Sequence, residues 1–251
     1  MWLLVVAALL ALFLLRRWHR ERQTVPRLSE KFVLITGCDS GFGNLLARQL
    51  DARGLRWLSR ADFAKVLDVN LLGVVEVTLS LLPLLRRARG RVVNVASVMG
   101  RVSFFGGGYC ISKFGVEAFS DSLRRELRPF GVRVSIIEPG GFRTGMLDPA
   151  PMVEGFVRLW ERLPAEAQAA YGRHYPEKYA KATTLVLQRL TSSRLSHVTD
   201  AMAHALLSRC PRSRYTAGWD ARLLFLPLSY CPTWLSDTLL GFFLPIPAGG
   251  V

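Results

Sequence analysis

Tyr109 and Lys113 stand four residues apart, which on a helix places a phenol and an ammonium on one face. A phenol with a pKa of about 10 is a poor base near neutrality, but an ammonium held within a few ångströms lowers that value. The pair can then pass a proton to or from a substrate oxygen. Ser97 follows the strand-like run Arg91-Val-Val-Asn-Val-Ala96, where its hydroxyl can bind the same oxygen and hold the reacting carbon in place. A Tyr-x-x-x-Lys pair alone is usually a solvated helix face, so the surrounding elements decide its meaning.

Those elements alternate. Lys31-Phe-Val-Leu-Ile35 is a short strand-like run that stops at Thr36 and Gly37, and residues 44–52 read as a helix. Between them, Thr36-Gly-Cys-Asp-Ser-Gly-Phe-Gly43 is a turn whose glycines allow backbone to approach a pyrophosphate at a helix N-terminus. An ordinary strand–turn–helix connection has the same spacing. Residues 62–89 carry apolar side chains at helical spacing, include Asn70, and predict a long buried helix stopped by Gly90. Residues 109–127 predict a second long helix closed by Pro129 and Gly131, and residues 132–137 a strand ending at Pro139-Gly140. The predicted fold class is α/β, a Rossmann-like doubly wound parallel sheet.

Residues 145–200 change character, with Trp160, Tyr171, Tyr175 and Tyr179 among charged helical residues. This region is either a substrate lid or an amphipathic helical pair. A helix is predicted at 199–207, and residues 221–245 are strongly apolar but broken by prolines, which argues against a full membrane span there. Insertion into a bilayer surface and plain core packing both remain open for that segment.

Residues 1–15 are wholly apolar and are followed by Arg16, Arg17, Trp18, His19, Arg20 and Arg22, so residues 1–22 predict a membrane anchor with a basic flank. Its apolar part reaches about 22 Å, short of the roughly 30 Å hydrocarbon core, and suits the thinner membrane of the endoplasmic reticulum. A cleaved signal peptide is the rival, but no charged region precedes the run and no small-x-small site follows it. The basic flank places the body on the cytosolic side.

The formal charge of +14 could attract nucleic acid, anionic lipid or an anionic cofactor. No nucleic-acid module accompanies it, which leaves lipid headgroups and a cofactor as partners. The four cysteines, Cys38, Cys110, Cys210 and Cys231, lack the spacing of a zinc site or a disulfide framework, so no metal is expected.

Taken together, the glycine turn, Asn70, Ser97, Tyr109-x-x-x-Lys113 and Pro139-Gly140 resemble the short-chain dehydrogenase/reductase family, in which these motifs follow one another in that order. The resemblance implies an oxidoreductase in which hydride moves to a nicotinamide cofactor while Tyr109 takes the proton. It further implies that Asn70 holds a water in the proton relay and that Lys113 also binds the nicotinamide ribose. Thr36, Gly37, Ser40, Gly41, Phe42 and Gly43 would hold the pyrophosphate side, and Pro139, Gly140 and Thr144 the nicotinamide end. The strings around 36–43, 106–113, 119–126 and 215–220 resemble the microsomal retinol and hydroxysteroid dehydrogenases. That likeness implies NAD as cofactor, a retinoid or a 3α- or 17β-hydroxysteroid as substrate, an endoplasmic-reticulum membrane location and a possible homo-oligomer. Asp39, with no basic residue between Gly37 and Gly41, disfavours the extra phosphate of NADP.

The sequence departs from the family in one place. Within the domain at 29–251, strands two to four are missing before the helix that bears Asn70, with the seam between Arg56 and Trp57. At about 30 residues per βαβ unit the omission amounts to roughly 60 to 70 residues. It removes the acidic residue expected to bind the adenosine ribose. Three readings follow in order of preference: a shortened product with a complete catalytic face and an incomplete cofactor half, a non-catalytic membrane-bound partner of full-length relatives, and a rearranged working enzyme.

Overall fold

Apolar residues at helical spacing build α1, a continuous helix from Arg60 to Ala88 with a π-helical stretch at Asp68–Leu72 that contains Asn70. The computed structural model describes residues 60–104, 108–144 and 147–247. The anchor at 1–22, the strand and glycine turn at 31–43, the helix at 44–52 and the 56/57 seam lie outside the described residues, so the structure does not test them. α1 ends at Arg89, which takes the left-handed conformation (φ 48°), while the Gly90 N–H returns to the Leu85 carbonyl at 2.9 Å. The left-handed cap is therefore the residue before the predicted glycine stop.

The expectation that this helix is buried is corrected by the structure. Its only buried residue is Thr78, and Val69, Val77, Leu81 and Leu84 are exposed. Among the described residues the sheet has three strands, which leaves that side of α1 without cover. The helix is long and apolar enough to cross a membrane by length and composition.

The strands are β1 (Arg91–Val95), β2 (Arg133–Pro139) and β3 (Arg214–Ala217), in the order β1-β2-β3 and all parallel. Parallel neighbours need crossovers. The first runs through a 3-10 turn at Val98–Gly100 and α2 (Gly108–Leu127), and Gly131 at φ 75° turns the chain into β2. The second runs through four helices, α3 (Pro149–Glu161), α4 (Ala165–Tyr171), α5 (Tyr175–Leu190) and α6 (Ser196–Leu207). On one face of the sheet Val116, Leu123 and Leu127 of α2 meet Ala96, Val134 and Ile136. On the other, Val198, Met202 and Ala205 of α6 meet Ile137 and Tyr215. Helices thus cover both faces, as the alternation of elements predicted.

α3 and α5 are joined by stacked rings, with the Phe156 and Tyr179 centroids 3.8 Å apart. After β3 the chain forms a helical turn over Ala221–Phe225 and Leu226–Leu228, then α7 (Thr233–Gly241). Ala221, Phe225, Leu228 and Leu240 join a core cluster with Val98, Met99, Val102 and Phe104. Leu223, Tyr230, Trp234 and Phe242 point to the surface. The apolar C-terminal segment therefore packs one face into the core and exposes the other.

Candidate active site

Close helix packing brings the site together. A methyl group on Gly115 of α2 would lie 2.6 Å from the Leu71 side chain of α1, and one on Gly108 would lie 3.0 Å from Val66 Cβ. With hydrogens there, the two helices approach closely, and Asn70 Nδ2 donates to Ser112 Oγ at 3.3 Å. Ser112 Oγ in turn donates to the Tyr109 carbonyl at 2.6 Å. A second staple, Asn94 Nδ2 to Ser120 Oγ at 2.8 Å, locks α2 onto β1.

Ser97, two residues beyond the end of β1, caps the 3-10 turn. Its Oγ accepts from the Met99 N–H at 3.1 Å and donates to the Pro139 carbonyl at 3.4 Å. A side-chain hydrogen bond also links it to Tyr109. Lys113 Nζ lies 5.7 Å from the centre of the Tyr109 ring and donates to the Val95 carbonyl at 3.1 Å. Burial raises the Tyr109 pKa above the usual phenol range, the Ser97 hydrogen bond opposes it, and Cys110 adds to the rise. Burial also lowers the Lys113 pKa. Burial thus acts on the phenol against the lowering expected from the ammonium, whose Nζ is held by the Val95 carbonyl.

Ser97, Tyr109, Lys113, Pro139, Gly140 and Thr144 all line one cavity of about 640 Å³, the size of a small-molecule site. Asn70 does not line it; its hydrogen bond to Ser112, which in turn bonds the Tyr109 carbonyl, connects it to the site. The glycine-turn residues Thr36, Gly37, Ser40, Gly41, Phe42 and Gly43 fall outside the described residues. Apolar walls come from distant parts of the chain: Phe142, Met152 of α3, Leu187 and Leu190 of α5, Val198 of α6, and Phe225. The segment after Pro139 is fixed to the end of α5 by a parallel bridge, Phe142 to Ser192.

Two features were not anticipated from the sequence. Asp220 is 1% exposed and lines the same cavity. Behind α2, Arg214 binds Glu117, Glu138 at 2.7 Å and Asp121 at 2.9 Å, while Arg101 reaches Glu138 at 3.2 Å. Burial, reinforced by the charge of Glu138 and opposed by Arg214 and Arg101, pushes Glu117 up to about 7. Only the adjacency of Tyr215 and Asp220 in one distinctive string hinted at either feature.

The short chain dehydrogenase family profile matches residues 57–153. Human retinol dehydrogenase 16 is 46% identical over an alignment of 316 residues that covers 99% of each chain. The chain belongs to the short-chain dehydrogenase family. Human 17-beta-hydroxysteroid dehydrogenase type 6 is 44% identical, with all of each chain covered, and mouse retinol dehydrogenase 7 is 46% identical over 96% of each. A solved short-chain dehydrogenase from Streptomyces avermitilis superposes with a TM-score of 0.50 at 26% identity, covering 75% of this chain and 62% of that one. Membership makes the protein an oxidoreductase of the alcohol dehydrogenase type, whose family chemistry runs on a nicotinamide dinucleotide.

Proposed function

We propose that this site is built to oxidise a hydroxyl of a lipophilic alcohol, a retinoid or a 3α- or 17β-hydroxysteroid, with NAD as hydride acceptor, and that the shortened cofactor half holds this chain's own turnover near background. One observation carries the reading: Ser97, Tyr109 and Lys113 meet in a cavity whose other walls are largely apolar. Such a cavity suits a hydrophobic body that presents one polar group. The names of the relatives, retinol dehydrogenases and a 17-beta-hydroxysteroid dehydrogenase, support the same substrate classes.

The residues at the nicotinamide end fit the cofactor. Lys113, Pro139, Gly140 and Thr144 line one cavity with the polar groups Ser97 and Tyr109. When bound, the dinucleotide supplies the hydride-accepting ring. Ser97 orients the substrate hydroxyl, Tyr109 takes its proton, and Lys113 would hold the ribose. The pyrophosphate would rest on Thr36 to Gly43. Residues 145–200 act as the substrate lid, since α3 and α5 supply wall side chains. The protein sits on the endoplasmic-reticulum membrane through residues 1–22, with its body cytosolic.

The shortened cofactor half bears on activity. An alignment of 316 residues for a chain of 251 supports sequence in the relative that this chain lacks, and the uncovered side of α1 fits the same reading. The second reading, a non-catalytic membrane-bound partner of full-length relatives, draws on that same uncovered side. The test is NAD-dependent oxidation of retinol or androstanediol by membranes carrying this chain, with and without Tyr109→Phe. Turnover near background in each is the expected outcome for an incomplete adenosine side. Robust turnover abolished by Tyr109→Phe would establish a rearranged working enzyme. Absence of turnover together with co-purification of a full-length dehydrogenase, unchanged by Tyr109→Phe, would favour the partner.

A further inference from the structure

The end of β3 holds the turn that follows β2 through two consecutive backbone amides. The Gly140 N–H donates to the Ala217 carbonyl at 2.8 Å. The Gly141 N–H donates to Asp220 Oδ2 at 2.6 Å. Pro139, the residue before, has no N–H to offer. The two amides of this turn are therefore held by one short stretch of chain some 80 residues away, a span given by the Gly141 to Asp220 separation of 79.

Two glycines make room for the carboxyl. A methyl group on Gly140 would collide with both Asp220 oxygens, and one on Gly218, which sits at φ 104°, would lie 2.6 Å from Oδ1. Glycine at 218 answers a second demand as well, because that φ is strained for other residues. The carboxyl is buried, and among the described residues its Oδ1 has no hydrogen-bond partner.

We infer that Asp220 is a positioning residue that fixes the Pro139–Gly141 turn at the nicotinamide end of the cavity. It rests on the reading of that turn as cofactor-binding. The carboxyl is also the joint between the turn and the C-terminal segment, because Ala221 and Phe225, directly after it, are buried in the cluster with Val98, Met99 and Phe104. Burial raises the Asp220 pKa while the Gly141 N–H lowers it, consistent with a carboxyl held in place by backbone donors rather than by a cation.

Hydrogen exchange of this chain in detergent, followed by mass spectrometry, tests the inference without any cofactor. In Asp220→Ala the peptide carrying Gly140 and Gly141 is expected to exchange at least tenfold faster, while peptides from α2 and β1 keep their protection. Asp220→Asn keeps an acceptor for Gly141 and is expected to stay within about twofold of the parent. Unchanged exchange at the turn in Asp220→Ala, or a rise spread equally over α2 and β1, would overturn it. Should Asp220→Ala fail to fold, Asp220→Asn and Gly218→Ala decide: the first should preserve protection of the turn and the second should lose it, and the reverse order overturns the inference. Fluorescence titration with NADH adds the cofactor arm, with roughly tenfold weaker binding expected for Asp220→Ala and near-parent binding for Asp220→Asn. A parent chain that binds no NADH would count against the cofactor reading alone, because the exchange result stands apart from it.

Discussion

Burial acts on Tyr109 and Lys113 in opposite directions, raising the phenol and lowering the ammonium. A raised phenol is a scarcer but stronger base, so oxidation in this site should speed up with rising pH well into the alkaline range. The kcat/KM–pH profile of a family enzyme restored to full length checks this, and a plateau reached below pH 8 would contradict it. In the same enzyme Tyr109→Phe keeps the ring, removes the proton acceptor and should lower turnover by roughly 10²- to 10⁴-fold. Glu117 carries a separate pH dependence. Its carboxyl rises from its ordinary 4.5 to about 7, so the folded state holds the proton more tightly than the unfolded one. Its contribution to stability is complete below about 4.5 and is lost as pH rises through about 7. Relative to Glu117→Gln, the parent should lose of order 1 to 3 kcal/mol between pH 5 and 8, read from denaturant unfolding at both values. A parent that gains on the Gln variant as pH rises would refute the account. Tyr109, Lys113 and Ser97 were legible in sequence because a four-residue helical spacing and a strand end are local signals. Asp220 and Glu117 were not, since their meaning comes from partners such as Gly141 and Glu138, far away along the chain.

The elements that carry these residues depend on tight backbone approaches. A methyl group on Gly100, at the end of the turn that Ser97 caps, would lie 2.8 Å from the Lys113 carbonyl and 2.9 Å from Glu117 Cγ. Backbone cannot yield there as a side-chain tip would, so Gly100→Ala should destabilise by roughly 1 to 3 kcal/mol. Thermal unfolding by circular dichroism checks this, and an unshifted midpoint would show that the turn moves freely. The two long helices and the first two strands were legible to within a few residues, because their periodicity extends over many positions: α2 begins at Gly108 against the predicted 109, and β2 runs to Pro139 against 137. β3 escaped notice because Arg-Tyr-Thr-Ala alternates over only four residues. The exposed side of α1 was misjudged for a different reason. Apolar periodicity says which face seeks cover, while the number of strands available to provide it is a property of the whole sheet.

At the scale of the molecule, two expectations rest on the N-terminal third. Residues 1–15 should hold the chain to membranes through alkaline carbonate extraction, and recovery in the soluble fraction would exclude an anchor. Calorimetry should find NAD bound weakly and NADP more weakly still, because Asp39 repels an added phosphate; tighter binding of NADP would reverse the assignment. The parallel bridge between Phe142 and Ser192 has a consequence of another kind. Two hydrogen bonds, Arg143 N–H to the Ser192 carbonyl and Ser192 N–H to the Gly141 carbonyl, each 2.9 Å, pin both ends of the helical stretch that supplies about a third of the cavity wall. In polymer language that stretch is a ring closed just beyond the end of β2. The entropy of closing such a ring grows only with the logarithm of its length, about 0.6 kcal/mol per doubling. Helices in it can therefore be lengthened, shortened or exchanged at little expense to the sheet, so an ancestral scaffold could change the shape of its cavity by replacing this ring as a cassette while Ser97, Tyr109 and Lys113 stay where they are.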